Sequence, residues 1–315
     1  MRHSVGVTFA DVVAAADRIA PHVALTPVLH DDRLDTWAGC RVWAKAEHLQ
    51  PMGAFKLRGA TNAVLLLDDE AASRGVTAHS SGNHAAALAM AAAIRRIPVT
   101  VVMPSNAPDR KKRAVAGYGA TIVECEPTLA ARESTVAEVI ARTGATEIHP
   151  YDNRDVIAGA GTAALELLDE APELEAVMTP VGGGGLISGT SLATHGIDQR
   201  LRVIGAEPRG ADDAARSLAA GTLIPQTAPD TIADGLLTSL SARTFSIIAE
   251  HVETIVTVTE DEIAHALRLC WDQLGWPIEP SSAVVIAGLR HADIAGRRVG
   301  VVLTGSNVDP ATRSW

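Results

Sequence analysis

Short apolar runs rich in β-branched residues recur along the chain: Val76 to Ala78, Val99 to Met103, Thr121 to Glu124, Ala176 to Val181, Val203 to Ala206, Thr254 to Val258 and Val299 to Thr304. Such runs predict buried strands. Between several of them lie stretches with helical character, Asn83 to Arg95, Asp109 to Tyr118, Leu129 to Thr143 and Val156 to Glu170. Alternating strand and helix predict a parallel sheet covered on both faces, so the fold class is α/β. Breaks at Gly75, Pro98, Pro104 and Gly119-Ala120 fall where a helix should stop or a strand should start.

The length of 315 residues suggests two domains at roughly 150 residues each. No Ser/Gly-rich linker separates them, so one domain is expected to be inserted in the other. Hydrophobic residues at 47% and charged residues at 20% describe a folded globular body rather than a disordered chain. The net charge of −10 is spread out, without a Lys/Arg block, which argues against nucleic acid or an anionic membrane as partner. Cys40, Cys125 and Cys270 are far apart, so neither a disulfide framework nor a zinc cluster is expected. Met1-Arg2-His3-Ser4 lacks a secretory pattern and the run from Ala85 to Ile94 is too short to span a bilayer. A soluble, cytoplasmic protein is the expectation.

Five segments could carry chemistry. In Gln50-Pro51-Met52-Gly53-Ala54-Phe55-Lys56-Leu57-Arg58-Gly59-Ala60 a lysine sits among apolar and small residues. Desolvation there would lower its pKa and suit imine formation, although a surface lysine with a snorkelling stem reads the same way. His79-Ser80-Ser81-Gly82-Asn83-His84 turns a strand into a helix. Such an elbow offers backbone N–H groups to a carboxylate or a cofactor oxygen, or is a plain N-cap.

Thr179-Pro180-Val181 leads into Gly182, Gly183, Gly184 and Gly185. Four consecutive glycines are entropically costly unless backbone must pass close to a group such as phosphate. Counting from Gly182 or Gly183 places Ile187 or Ser188 where a dinucleotide fingerprint needs glycine, and no P-loop Lys-Ser/Thr pair follows. Glu207-Pro208-Arg209-Gly210-Ala211-Asp212-Asp213 gathers carboxylates after a strand, either as a solvated acidic turn or as a site for a hard divalent cation. Thr304-Gly305-Ser306-Asn307 ends the last strand at the sheet edge where ligands usually bind.

Together, and in this order, these segments resemble the fold-type II pyridoxal 5′-phosphate (PLP) enzymes, in the serine racemase and threonine/serine dehydratase branch. The resemblance covers nearly the whole chain. It extends to Pro104 through Lys112, Tyr118-Gly119-Ala120, Ile157 through Thr162, Thr231 through Gly235 and Glu279-Pro280-Ser281. It implies a two-domain architecture of parallel-rich twisted sheets flanked by helices. Residues 1–74 and 152–315 would form a large PLP-binding domain and residues 75–151 a small mobile substrate domain.

By that resemblance Lys56 carries PLP, Phe55 packs near its ring, Asn83 meets the ring hydroxyl, Gly182 to Gly185 cradle the phosphate and Thr304 faces the pyridine nitrogen. Ser80, Ser81, Gly82 and His84 would bind the substrate carboxylate, with polar contacts from Arg132 and His149. Glu207, the Ala211 carbonyl and Asp213 would hold Mg²⁺ or another divalent cation. A homodimer is implied in the same way.

The expected activity is dehydration of a small β-hydroxy amino acid of threonine or serine type to a 2-oxo acid and ammonia. Alternatives are a serine or aspartate-type racemase and a hydroxyaspartate dehydratase. Ser81, opposite Lys56, resembles the second base of racemases, whereas threonine dehydratases commonly carry alanine there. Tyr151 stands where the racemases carry a smaller amide, and Ala86 and Ala87 replace larger or polar residues. These departures leave room for a substrate with a second carboxylate or a larger β-substituent. A β-replacing synthase and a non-catalytic binding protein on the same scaffold are the more distant readings.

Overall fold

The computed structural model describes residues 6–308. Among them are ten strands: β1 (Val28–Leu29), β2 (Arg41–Lys45), β3 (Val76–His79), β4 (Val99–Pro104), β5 (Thr121–Cys125), β6 (Thr146–Glu147), β7 (Ala176–Pro180), β8 (Arg202–Pro208), β9 (Thr254–Val258) and β10 (Arg298–Val302). The α/β class holds, and the strands form two parallel-rich sheets, as the resemblance implied and the alternation alone did not. A six-stranded sheet runs β1-β2-β10-β7-β8-β9 and a four-stranded sheet runs β5-β4-β3-β6. Every pairing is parallel except β1 with β2.

All seven expected strands are present, with ends moved by up to two residues. The last one stops at Val302, so Thr304 lies two residues beyond it. The helices Asn83–Arg95 and Leu129–Thr143 have the expected bounds. The expected helix from Val156 begins earlier, as Arg154–Glu170, because the Asn153 side chain accepts from the N–H groups of Asp155 and Val156.

Three helices converge on the centre of the molecule through small residues. A Cβ on Gly59 would lie 2.7 Å from the Val156 carbonyl oxygen, and one on Gly189 would lie 2.3 Å from that of Ile157. Glycine there lets the helices Lys56–Leu65 and Gly185–Ile197 press their backbones against Arg154–Glu170. Those two helices begin with Lys56 and with the last residue of the glycine run, so the packing of one helix places both.

The main core lies between the six-stranded sheet and the helices Glu260–Arg268 and Pro280–Gly288. A second core joins the four-stranded sheet to the helices Lys56–Leu65 and Asn83–Arg95, where buried alanines permit close approach. Behind Lys56 lies a buried ionic network. The Arg58 guanidinium donates to both Glu47 oxygens at 2.7 Å and both Glu166 oxygens at 2.6 Å, and Lys45 pairs with Glu166 at 2.6 Å. These groups tie β2 to two of the three central helices, and each charge has its counter-charge within hydrogen-bond distance.

The three cysteines are free thiols. Among the described residues, no helix is long and apolar enough to cross a membrane.

Candidate active site

Gly53 adopts φ +78° and turns the chain ahead of Lys56. The segment is then stitched to the residues after β10: Phe55 N–H donates to the Thr304 carbonyl at 3.0 Å and Ser306 N–H to the Gly53 carbonyl at 2.9 Å. Lys56 becomes the first residue of its helix, and its Nζ donates to the Pro150 carbonyl at 2.9 Å while standing 5.0 Å from the centre of the Phe55 ring. That is not a snorkelling arrangement. Burial pushes the amine down to about 8, with the Glu279 carboxylate pulling the other way.

The elbow after β3 is not a plain side-chain cap. Gly82 is the N-cap of Asn83–Arg95 and has no side chain to cap with, while Ser80 Oγ accepts from Gly82 N–H at 3.2 Å. Ser80, Ser81 and Gly82 are half-buried around an uncapped helix start. Asn83 is held from two sides: its Nδ2 donates to Glu279 Oε1 at 2.8 Å and its Oδ1 accepts from Asn307 Nδ2 at 2.8 Å. Asn307 N–H donates to Glu279 Oε2 at 3.0 Å. Burial raises Glu279 to about 7, against the hydrogen bond from Asn83.

Glu279 and Asn307 were not among the expected site residues. Both stand in segments that drew attention in the sequence, Glu279 ahead of a proline at a helix start and Asn307 after Thr304-Gly305-Ser306. Nothing local marks them as Asn83's partners.

His84 is buried, with Nε2 facing the Ile148 carbonyl at 2.7 Å and Nδ1 without a protein partner. A carbonyl only accepts, so Nε2 carries the proton. Burial and the nearby Lys56 charge hold this ring well below its usual range, at about 3. His149 is also kept neutral, at about 4, by burial and by His79. Its Nδ1 accepts from Asp152 N–H at 2.9 Å, which leaves an N–H on Nε2. His79, His149 and Tyr151 form a row of edge-on rings, 6.2 and then 4.6 Å between centres. Burial lowers the His79 ring's pKa, with the positive charge of Arg132 adding to it, and Arg132 Nε is buried without a hydrogen-bond partner.

The glycine run leaves β7 and passes directly into the helix Gly185–Ile197. A Cβ on Gly183 would lie 2.2 Å from the Tyr151 ring, and one on Gly185 would lie 2.9 Å from Tyr151 Cβ. Gly184 has φ +84°, and its Cβ would meet Leu240 and Thr244 at 2.8 Å. The Thr238 hydroxyl, 3.2 Å from the position of a Cβ on Gly182, is buried with no hydrogen-bond partner. A cradle that no side chain can enter, at a helix start and beside an unsatisfied hydroxyl, fits a phosphate group. Thr304 is buried and offers a neutral hydroxyl, with its own N–H donated to Ser282 Oγ at 2.9 Å. These features, with the desolvated amine of Lys56, fit PLP.

Glu207 and Asp213 are both fully buried, so the segment is not a solvated acidic turn. Glu207 lies in β8 and accepts from Ala214 and Ala215 N–H groups at 3.2 and 2.8 Å. Asp213 accepts from Leu240 N–H at 3.0 Å through one oxygen, and its other oxygen has no partner. Burial, with the Asp213 charge adding to it, raises Glu207 well above the usual carboxylate range. Ala211 is buried in the 3₁₀ turn Arg209–Ala211 between them. Two neighbouring buried carboxylates and an unsatisfied oxygen suit a hard divalent cation.

The chain matches a family model described as pyridoxal-phosphate dependent enzyme over residues 19–305. It is 48% identical to the β-hydroxyaspartate dehydratase of Paracoccus denitrificans over 310 residues, 98% of each chain. It is 41% identical to the L-threo-3-hydroxyaspartate ammonia-lyase of Saccharomyces cerevisiae, covering 96% of this chain and 94% of that one. The crystal structure of the serine racemase from Dictyostelium discoideum superposes with a TM-score of 0.92 at 44% identity, over 96% of this chain and 99% of that one. With a matched family model across most of its length and relatives that align end to end, this chain belongs to the pyridoxal-phosphate dependent enzyme family.

Proposed function

We propose that the protein is an ammonia-lyase that dehydrates a small β-hydroxy amino acid, with a 3-hydroxyaspartate as the preferred substrate. The observation that carries the lyase reading is the buried Lys56 amine, beside the Phe55 ring and donating to the carbonyl of Pro150, the residue before the Tyr151 whose ring packs on Gly183. Lys56 would hold PLP, and Gly182, Gly183, Gly184 and Gly185 would take its phosphate, together with the Thr238 hydroxyl. Asn83, fixed by Glu279 and Asn307, would stand at the ring's edge, with Thr304 at the ring nitrogen. Bound PLP supplies the electron sink that lets the α-proton leave.

The remaining work falls to this chain's own groups. Ser80, Ser81 and Gly82 at the uncapped helix start would receive the α-carboxylate. Once the substrate amine has displaced it, the Lys56 amine would take the α-proton, its low pKa keeping a useful fraction neutral near pH 7. Thr304 would offer the ring nitrogen a neutral hydroxyl rather than an acid, an environment that would suit elimination.

The choice of 3-hydroxyaspartate rests on the far side of the pocket. Arg132, with its partnerless Nε, and the His149 Nε2–H would give the second carboxylate a cation and a donor. Two relatives named for hydroxyaspartate chemistry support the same choice. Ser81 supports racemisation as a second activity, since a hydroxyl opposite Lys56 could return a proton to the other face.

Residues 75–151, which contain the four-stranded sheet, would form a small domain that moves against the rest of the chain to close on substrate. Glu207, the Ala211 carbonyl and Asp213 would hold Mg²⁺. The family resemblance further suggests a homodimer, and the three scattered free cysteines suit a reducing cytoplasm.

The test is turnover by purified holoenzyme with Mg²⁺ of the 3-hydroxyaspartates, L-threonine and L- and D-serine, following 2-oxo acid and enantiomer composition together. The expected result is oxaloacetate and ammonia from a 3-hydroxyaspartate at a kcat/KM well above that for serine, and none from Lys56→Ala. Equal or better turnover of serine or threonine would overturn the substrate choice. Enantiomer exchange without 2-oxo acid would overturn the lyase reading.

A further inference from the structure

The helices Gly185–Ile197 and Ala242–His251 both start at the glycine cradle: the first contains Gly185, and the second contributes Thr244 and Ile248 to the wall against Gly184. Their far ends also converge. There His195 Nδ1 lies 3.2 Å from His251 Nδ1, in a half-buried ring pair with centres 5.4 Å apart. The pair borders a surface depression of about 270 Å³.

The tautomers can be assigned. His195 Nε2 faces the Leu201 carbonyl at 3.1 Å, and a carbonyl only accepts, so Nε2 carries the proton and Nδ1 presents a bare lone pair. This outer-shell arrangement, ring N–H to a backbone carbonyl with the other nitrogen free, is the one that orients metal-binding histidines. In the metal-free pair His251 must then donate its Nδ1–H to His195. The Nδ1 separation of 3.2 Å also matches the edge of a tetrahedron around Zn²⁺, about 3.3 Å for Zn–N bonds of about 2.0–2.1 Å.

We infer that His195 Nδ1 and His251 Nδ1 form a binding site for a borderline divalent cation of the Zn²⁺ class, separate from the carboxylate pair Glu207 and Asp213. On binding, the His251 proton moves from Nδ1 to Nε2 through solvent, so two lone pairs face the cation and no net proton is released. Imidazole nitrogen selects such a cation over Mg²⁺.

The local field permits it. Both histidines sit in the last turn of their helices, where the macrodipoles favour positive charge. Of the cations around the depression, Arg202 is paired with Glu253 at 2.6 Å and Arg200 with Asp198 at 2.7 Å. Glu250, beside His251 on the rim, adds negative charge, and water from the open depression completes the coordination. A cation here clasps the outer ends of the two helices whose inner ends line the cradle.

The experiment titrates Co²⁺, as a spectroscopic stand-in for Zn²⁺, into holoenzyme already saturated with Mg²⁺, so that the oxygen site is filled. Visible ligand-field absorption is read together with the histidine ¹⁵N shifts. One Co²⁺ per chain with nitrogen-type bands is expected. Zn²⁺ should shift the Nδ1 resonances of both residues, and affinity should fall by about 100-fold or more in His195→Gln and in His251→Gln. Asp35→Asn serves as control, because His30, Asp32 and Asp35 bring ligand atoms within 4.8 Å of one another elsewhere on the surface. The PLP absorbance band reports whether each variant has folded. Absence of Co²⁺ uptake by the Mg²⁺-loaded protein would sink the proposal. So would uptake unchanged in both histidine variants, or uptake lost in Asp35→Asn.

Discussion

The Tyr151 ring lies against the Cα of Gly183 so closely that a Cβ on the glycine would be 2.2 Å from it. Tyr151 therefore forms one wall of the cradle and also stacks edge-on with His149, the residue proposed to contact substrate. One aromatic residue thus joins the proposed phosphate site to the proposed specificity wall.

Gly183→Ala should consequently lower stability and PLP retention together, by about 1–3 kcal/mol as an overpacking change. Much of the loss should return in the double variant with Tyr151→Ala. Urea unfolding and equilibrium dialysis of PLP measure both, and a Gly183→Ala protein that keeps wild-type retention would contradict the contact.

Lys56 gives a pH prediction with a definite sign. With its pKa lowered to about 8, the neutral, reactive amine gains population as pH rises through that value. At pH 7 about a tenth is neutral, against less than about a thousandth for an ordinary lysine. The rate at which apoprotein takes up PLP, followed by absorbance, should rise between pH 7 and 9 and then level. A rate that keeps climbing to pH 10.5 would mean that Lys56 is not desolvated.

Arg132 should discriminate between substrates. Loss of one charge-assisted hydrogen bond of about 1.5–3 kcal/mol predicts that Arg132→Ala raises KM for a 3-hydroxyaspartate by about 10–100-fold. Serine turnover should change far less. Steady-state kinetics on both substrates decide it, and an equal loss on both would place Arg132 in general positioning instead.

Removing the Arg58 charge should be expensive. Arg58→Met leaves Glu47, fully buried, and much of Glu166 without a counter-charge, for which the usual penalty is about 3–5 kcal/mol. Lys45 remains to neutralise only one of them. Thermal unfolding of holoenzyme should show a large drop in midpoint. Replacing all four charged residues together with apolar ones should recover much of it, and a single variant with unchanged midpoint would remove the network from the account of stability.

Local patterns in the sequence determined much of the secondary structure and the class of chemistry. Asn83–Arg95 was legible as an alanine-rich run bounded by an elbow, and Leu129–Thr143 as a periodic stretch between Thr128 and Gly144. The two-residue strands β1 and β6 were not, since two residues carry no period. Nor was β2, whose polar ends hide a strand that keeps Lys45 buried through its pairing with Glu166. The lysine, the elbow, the glycine run and the final threonine could be singled out because each is a local departure from ordinary helix or strand.

Only the tertiary structure decided how those pieces meet. The division into two sheets depends on pairing between strands far apart in the chain. Asn83 is fixed by a carboxylate 196 residues away, and Glu207 and Asp213 become a buried pair because β8 and the turn after it are covered by other elements. Propensity and capping are set within a few residues, so they can be read along a line. Burial of a charge, the pKa it imposes and the approach of two histidines at the ends of separate helices belong to non-local packing, which the linear pattern does not encode residue by residue.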